Sequence, residues 1–165
     1  MTGSASFSCR TSSGEETLCL GRALGRLLVP GITVLLYGDL GTGKTVLVRG
    51  VGEALGAGRV RSPSFTLVNE YRTKTLELVH VDLYRLDPEG VDDLALEEYR
   101  DRVLLVEWPE RWIGSPRDEI LKVEITADDE TGRTFVFSSS GPKAGRVLEE
   151  FAASAEVESA RRGLL

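Results

Sequence analysis

The sequence has few cysteines and very little histidine. Cys9 and Cys19 are its only cysteines, they form no Cys-x-x-Cys pair, and His80 is its only histidine. This composition argues against a disulfide scaffold and against a structural zinc site. No apolar run approaches the roughly 20 residues that a membrane span needs, and residues 1–10 do not have the pattern of a secretory signal. These absences predict a reduced, cytoplasmic protein that does not associate with a membrane.

Positive charge is also scarce. The chain has 20 Lys and Arg against 26 Asp and Glu, which gives a formal net charge of −6. Proteins whose main task is to bind nucleic acid usually carry a basic patch, and here Arg49, Arg59 and Arg61 form only a small cluster. Tight, direct binding to nucleic acid is therefore not expected. A length of 165 residues with 41% apolar residues predicts one globular domain with its own core.

The spacing of apolar residues predicts alternating helices and strands without a strict βαβ repeat. Predicted helices cover roughly residues 15–28, 44–55, 91–99 and 144–151, and predicted strands cover 32–37, 65–71, 76–83, 103–106, 120–126 and 134–138. We expect residues 1–150 to form the domain and residues 151–165, which are rich in Ala, Ser and charge, to form a flexible C-terminal tail.

The most informative segment is residues 38–45, Gly-Asp-Leu-Gly-Thr-Gly-Lys-Thr. It matches the phosphate-binding pattern GxxxxGK[ST] in full. Its glycines allow successive backbone N–H groups to point at phosphate oxygens, Lys44 reaches the β- and γ-phosphates, and the Thr45 hydroxyl binds Mg²⁺. An apolar strand precedes the loop and a helix follows it. The sequence therefore predicts an α/β, P-loop NTPase-like single domain, with a central mixed β-sheet flanked by helices, that binds and hydrolyses ATP with Mg²⁺.

Two acidic residues follow apolar strands and are candidates to hold the metal. Asp82 ends the run Leu-Val-His-Val-Asp, and Glu107 ends the run Val-Leu-Leu-Val-Glu. A phosphate-loop enzyme needs a carboxylate at the end of a neighbouring strand to hold Mg²⁺, directly or through water. The residues alone leave open which of the two carboxylates binds the ion directly.

Four segments together resemble the TsaE family, also known as YjeE. They are residues 38–45, Ser-Pro-Ser-Phe-Thr-Leu-Val at 62–68, His-Val-Asp-Leu-Tyr-Arg-Leu at 80–86 and Glu-Trp-Pro-Glu at 107–110. The resemblance covers roughly residues 15–133. It implies a cytoplasmic bacterial ATPase that is required for the threonylcarbamoyl modification of adenosine 37 in tRNAs reading ANN codons. It also implies that the ATPase acts with the TsaD–TsaB pair and meets tRNA through that complex.

The resemblance also implies site residues. Lys44, Asp82 and Glu107 would be catalytic, and Thr45, Asp82 and Glu107 would serve the metal, with Glu107 the stronger candidate. The implied nucleotide-binding residues are Thr17, Asp39, Leu40, Gly41, Thr42, Gly43, Lys44, Thr45, Val46, Trp108 and Arg133. The implied switch-like loop contains Ser62, Pro63, Ser64 and Thr66. Ser64 is a departure, because the family commonly has Thr there.

Other interpretations stay open beside this one. A P-loop kinase of small molecules is the main alternative, although Arg111 and Arg117 do not make the dense basic lid typical of such enzymes. A GTPase would carry an NKxD motif, which is absent. His80 is more typical of a structural histidine. Arg85, just past a metal-site strand, could touch phosphate, touch a partner or pair with Asp87, and a structural or partner role is favoured. No residue is an obvious arginine finger or general base, so we expect slow hydrolysis without a partner.

Overall fold

The computed structural model describes residues 5–114 and 118–162. Its strands are β1 (Ser6–Thr11), β2 (Thr33–Tyr37), β3 (Val68–Arg72), β4 (Glu77–Asp82), β5 (Val103–Glu107), β6 (Ile120–Ala127) and β7 (Arg133–Ser140). Its helices are α1 (Gly14–Gly25), α2 (Lys44–Leu55), α3 (Pro88–Asp93), α4 (Pro142–Ala152) and α5 (Ala155–Arg162), with short 3₁₀ helices at Leu96–Tyr99 and Pro109–Arg111.

The strands form one seven-stranded sheet in the order β1-β7-β6-β2-β5-β4-β3. β6, β2, β5 and β4 run parallel to one another, whereas β1, β7 and β3 pair antiparallel to their neighbours. The predicted fold class, a single domain with a mixed sheet flanked by helices, is confirmed. The parallel strands place their carboxyl ends at one edge of the sheet, where ligands of α/β proteins bind.

Each face of the sheet carries a different layer. One face packs against α1, α2, α4 and α5, and the other packs against α3 and the two 3₁₀ helices. The alternation along β4 shows this arrangement, since Leu78 belongs to the first core and Val79 and Val81 belong to the second. The even-numbered residues of β4, which include His80 and Asp82, therefore face α1 and α2.

Helices α1 and α2 pack unusually close together. A Cβ on Gly21 would overlap the Leu47 backbone oxygen, and a Cβ on Gly50 would overlap the Leu18 backbone oxygen. Glycine lets the two main chains touch at this crossing. The α1 helix begins at its N-cap Ser13, whose hydroxyl accepts a hydrogen bond from the Glu16 N–H at 3.2 Å.

Two predicted elements differ from the structure because a single residue adopts left-handed backbone geometry. The strand predicted from residue 65 begins at Val68, because Leu67 has φ 67° and its N–H donates to the Pro63 oxygen at 2.7 Å. The helix predicted over 91–99 is interrupted at Ala95, which has φ 48°. Positive φ is uncommon for residues other than glycine, so apolar spacing did not reveal either break.

The predicted flexible tail is wrong for the described part of residues 151–165. Ala155–Arg162 forms α5, and Val157 and Ala160 are buried in the main core. Glu156 on this helix also pairs with Arg26. The Ala-rich composition concealed a helix whose small residues pack against the sheet, and the proposed boundary at residue 150 falls inside α4. Residues 163–165 lie outside the described residues.

Within the described residues, none of the helices combines the length and the apolar character needed to cross a membrane. Arg117, which was weighed with Arg111 against the basic lid of a kinase, lies outside the described residues.

Candidate nucleotide-binding site

The phosphate-binding loop joins β2 to α2 at the carboxyl edge of the parallel strands. Gly43 is the N-cap residue of α2 and has φ 101°, in the left-handed region that favours glycine. No side chain caps this helix start, so its first N–H groups remain available to an anion. Inside the loop, the Thr42 hydroxyl donates to the Asp39 carbonyl oxygen at 2.9 Å. The loop therefore has the shape and polarity of a phosphate cradle.

Lys44 is a buried cation at this cradle, with only 6% of its surface exposed. Its ammonium donates to the carbonyl oxygens of Asp39, at 3.0 Å, and Gly38. It also lies 4.2 Å from the centroid of the Trp108 ring, which makes a cation–π contact. Burial lowers the pKa of Lys44, and the negative charge of Glu107 acts in the opposite direction.

The two candidate carboxylates lie side by side. Asp82 and Glu107 are paired in register at the ends of β4 and β5, and Glu107 is 3% exposed. Glu107 Oε1 accepts a hydrogen bond from the Thr45 hydroxyl at 2.9 Å and lies 3.3 Å from His80 Nε2. Asp82 Oδ1 instead accepts the Tyr84 N–H at 2.9 Å. Glu107 is therefore the carboxylate that directly contacts the predicted metal-binding hydroxyl.

These oxygen atoms fit Mg²⁺. The ion prefers hard oxygen ligands and is usually held by one or two carboxylates together with substrate phosphates. The Thr45 hydroxyl and the Glu107 carboxylate supply two such oxygens at the start of α2, and Asp82 lines the same cavity. In the described chain, no cluster of three or more His, Cys, Asp or Glu side chains is arranged to hold a metal, so phosphate oxygens would have to complete the coordination.

The switch-like loop closes over the carboxylates. The Ser62 and Ser64 hydroxyls lie 2.6 Å apart, and the Ser64 hydroxyl donates to Asp82 Oδ2 at 3.5 Å. Thr66 is turned to a different partner, because its hydroxyl donates to Asn69 Oδ1 at 2.6 Å. In this structure Ser64 is the hydroxyl that connects the loop to a carboxylate.

A cavity of about 490 Å³ contains the phosphate side of the site. An adjoining cavity of about 240 Å³ lies between the loop, the start of α1 and the β6–β7 turn. We call them the phosphate cavity and the side cavity. Thr17 and Arg133 line the side cavity, and Gly41, Thr42, Gly43 and Val46 line both. The two cavities therefore adjoin along the loop, and we call them together the cleft.

Arg133 is engaged with the loop itself. Its Nε donates to the Thr42 carbonyl oxygen at 3.1 Å, and its Nη2 donates to the Gly41 carbonyl oxygen at 3.3 Å. Thr17 is 2% exposed, and its hydroxyl lies 2.8 Å from the Thr11 hydroxyl. Both side chains thus support the walls of the side cavity through bonds to other protein groups.

A larger cavity, of about 690 Å³, lies at the opposite edge of the sheet. It is lined by Pro30 and Gly31 before β2 and by Asp118 and Glu119 before β6. Because ligands of open α/β sheets bind outside the carboxyl ends of the strands, the cleft at the phosphate-binding loop is the stronger candidate site.

Comparison with known proteins identifies the family. A family model described as "Threonylcarbamoyl adenosine biosynthesis protein TsaE" matches residues 11–135. The chain belongs to the TsaE family. The match runs from the end of β1 into β7 and so includes every residue of the cleft described above.

Individual relatives support the same assignment. The TsaE protein of Bacillus subtilis is 36% identical over 144 residues, which cover 86% of this chain and 90% of the relative. The TsaE protein of a Nostoc strain is 44% identical over 126 residues, covering 72% and 77%. The crystal structure of Bacillus subtilis YdiB superposes with a TM-score of 0.78 at 31% identity, covering 93% of this chain and 98% of that one.

The structure gathers most of the residues that the TsaE resemblance predicts for the site. The predicted residues that line the cleft are Thr17, Leu40, Gly41, Thr42, Gly43, Lys44, Thr45, Val46, Ser62, Ser64, Asp82, Glu107, Trp108 and Arg133. Asp39, Pro63 and Thr66 are outside this lining. Asp39 and Pro63 take part through their carbonyl oxygens, which accept hydrogen bonds within their own loops.

Three contacts of the site were missed from the sequence. His80, interpreted as structural, contacts Glu107, although its position two residues before Asp82 indicates the same face of β4. Tyr84 packs on Trp108 with ring centroids 4.8 Å apart. Arg85 lines the phosphate cavity and stacks on Phe65 of the switch-like loop. No sequence pattern signals either ring contact, because both join segments that are distant in the chain.

Proposed function

We propose that this TsaE-family chain binds ATP with Mg²⁺ in the cleft and hydrolyses it as part of tRNA threonylcarbamoyladenosine biosynthesis. The observation that carries the proposal is the contact of Thr45 with Glu107 at the start of α2, directly beside the buried ammonium of Lys44. A hydroxyl, a carboxylate and a cation in this arrangement are the groups that a phosphate-loop NTPase uses.

The chain's own groups have distinct tasks in this proposal. Lys44 and the N–H groups of residues 41–45 bind the phosphate oxygens, and Thr45 and Glu107 hold Mg²⁺. When bound, the metal neutralises charge on the β- and γ-phosphates. In the reaction, a water oxygen bonds to the γ-phosphorus while the bond to the β–γ bridging oxygen breaks. That electron pair stays on ADP, and the proton of the water leaves to solvent.

A partner is part of the proposal because the cleft lacks a well-placed general base. The carboxylates that could serve are engaged, Glu107 with Thr45 and His80, and Asp82 with the Tyr84 N–H. Such a site positions phosphate but does not activate water strongly, so basal turnover is expected to be slow. The TsaE resemblance supplies the partner, the TsaD–TsaB pair, with tRNA reached through that complex in the cytoplasm.

An ATPase assay tests this proposal. Phosphate release is measured with purified chain, alone and with TsaD–TsaB and tRNA, in Mg²⁺ or in excess EDTA. We expect slow Mg²⁺-dependent release that rises at least about tenfold with the pair, and no rise when Lys44→Ala replaces the wild type. Release that is insensitive to EDTA, or equal for Lys44→Ala, would contradict the ATPase. Release that stays flat when the pair is added would contradict the partner.

A further inference from the structure

Phe65 is exposed, whereas the other four phenylalanines of the chain are buried. The chain has five phenylalanines, and Phe7, Phe135, Phe137 and Phe151 pack against one another in the core. Phe65 instead lies on the switch-like loop with 85% of its surface exposed. Its ring contacts the guanidinium of Arg85, whose Cζ lies 4.7 Å from the ring centroid.

Arg85 is at the same time part of the phosphate cavity. It lines that cavity together with Lys44, Thr45 and Glu107. The backbone just before it is fixed, because the Tyr84 N–H donates to Asp82 Oδ1 at 2.9 Å and the Tyr84 ring packs on Trp108. The main chain of Arg85 is thereby anchored to the metal-site strand, while its charged end rests on the switch-like loop.

We propose that Arg85 is a catalytic residue of the ATPase, held on Phe65 in the resting state and released from it to contact the γ-phosphate during hydrolysis. The inference rests on the proposed function. It gives Arg85 a catalytic role, whereas the sequence favoured a structural or partner contact, and it makes the switch-like loop the element that controls access of this charge to the nucleotide.

The resting contact is weak enough to be broken. A cation–π pair at an exposed site shifts an equilibrium by only about two- to fivefold. The negative charge of the triphosphate competes for the same guanidinium, and an arginine that reaches a phosphoryl group in the transition state raises turnover by about 10³–10⁵-fold in GTPases. While the γ-phosphorus passes from the bridging oxygen to the attacking water oxygen, Arg85 contributes charge only and exchanges no proton.

The test compares Arg85→Ala, Arg85→Lys and the matched control Arg111→Ala. Arg111 lies at the same edge of the sheet, but its guanidinium donates to the Leu86 carbonyl oxygen at 3.3 Å. Turnover is measured with TsaD–TsaB, and the Kd of a fluorescent, non-hydrolysable ATP analogue is measured without it. We expect Arg85→Ala to lower turnover about 100-fold or more while Kd changes less than about threefold. Arg85→Lys should recover part of the loss, and Arg111→Ala should match the wild type.

The companion variants act on the resting contact. Phe65→Leu keeps the apolar bulk but removes the ring face, and Phe65→Tyr keeps the face. Without the partner, we expect Phe65→Leu to raise basal turnover about two- to fivefold and Phe65→Tyr to leave it unchanged. The Arg85 Nε–H resonance, identified by its loss in Arg85→Lys, should move on addition of the ATP analogue. It should also move in Phe65→Leu without nucleotide, because the ring current of Phe65 no longer acts on it.

The outcomes separate this inference from the proposed function. If the wild type hydrolyses ATP and Arg85→Ala hydrolyses it equally fast, the inference is wrong and the ATPase stands. If Arg85→Ala weakens affinity for the ATP analogue and lowers turnover by the same factor, Arg85 contributes binding only and the catalytic role is wrong. If the wild type shows no Mg²⁺-dependent, Lys44-dependent hydrolysis, the proposed function itself fails, and the inference fails with it.

Discussion

The two halves of the sheet bury different kinds of side chain. The parallel half, made of β2, β4, β5 and α2, buries four ionisable side chains in or beside the cleft: Lys44, His80, Asp82 and Glu107. The other half is made of β1, β6, β7, α4 and α5, and we call it the antiparallel half because β7 pairs antiparallel to both β1 and β6. It buries the four-phenylalanine cluster. Buried charge is tolerated only where partners satisfy it, whereas buried aromatic rings stabilise without partners. The chain thus separates the groups that bind ligand from those that hold the fold.

The largest expected effect tests the antiparallel half. Phe137→Ala removes the ring that contacts Phe7, Phe135 and Phe151. It should lower the free energy of unfolding by about 3–5 kcal/mol, measured by urea denaturation. Val136→Ala, on the exposed face of the same strand, is the control and should change it by less than about 0.5 kcal/mol. At a temperature where Phe137→Ala is still folded, its affinity for ATP should be unchanged; a large loss of affinity would show that the halves are not separable.

The next effect tests the parallel half. Lys44→Ala removes the buried cation and should weaken ATP binding about 100-fold or more, equivalent to about 2.8 kcal/mol. Its free energy of unfolding should change by less than about 1 kcal/mol, because burial already disfavours the charged ammonium, as the lowered pKa of Lys44 indicates. Titration calorimetry and urea denaturation measure the two quantities. A variant that loses stability but keeps its affinity would reverse the comparison.

A smaller effect separates the roles of the two carboxylates in the parallel half. Glu107→Gln keeps the shape of the side chain but removes the charge that contacts Thr45. We expect it to lower Mg²⁺-dependent turnover about 10- to 100-fold and to raise the Mg²⁺ concentration required. Asp82→Asn should lower turnover less, because Asp82 Oδ1 bonds to the Tyr84 N–H and an amide oxygen can still accept it. Turnover measured across a Mg²⁺ titration decides the order, and the opposite order would assign the metal to Asp82.

The smallest effect lies where the two halves meet. Arg133 begins β7 but bonds to carbonyl oxygens of the phosphate-binding loop. Charge-assisted bonds of this kind contribute about 1.5–3 kcal/mol. Because the amide of Gln can still donate a neutral hydrogen bond, Arg133→Gln should weaken ATP binding by less than this, about tenfold. Arg10→Gln is the control, since it removes ion pairs with Asp128 and Asp129 in the same turn without touching the loop. Equal affinities for the two variants, measured by fluorescence titration, would show that Arg133 does not order the loop.

The site was more predictable from the sequence than its supports. The phosphate-binding loop, the start of α2 at Lys44 and the strand ends at Asp82 and Glu107 follow from local patterns, because each depends on residues that are adjacent in the chain. The bond from Arg133 to Thr42 joins residues far apart in sequence. Its existence depends on β7 lying beside β6 and on β6 lying beside β2, an order that no local pattern specifies.

The prediction for the C-terminal segment was wrong for a different reason. Residues 155–162 have a polar composition, so apolar spacing gave no reason to predict a buried face. Val157 and Ala160 are nevertheless buried in the main core, where α5 lies against β1 and α1. The spacing of apolar residues therefore does not predict a short helix that buries only two side chains.

The glycine crossing of α1 and α2 has a consequence for ligand size. Thr17 near the start of α1 and the phosphate-binding loop at the start of α2 form facing walls of the side cavity. Since the helices touch through main chain at Gly21 and Gly50, the same crossing holds these two walls close together. A larger residue at Gly21 or Gly50 would push the two helices apart and so change the size of ligand that the side cavity accepts.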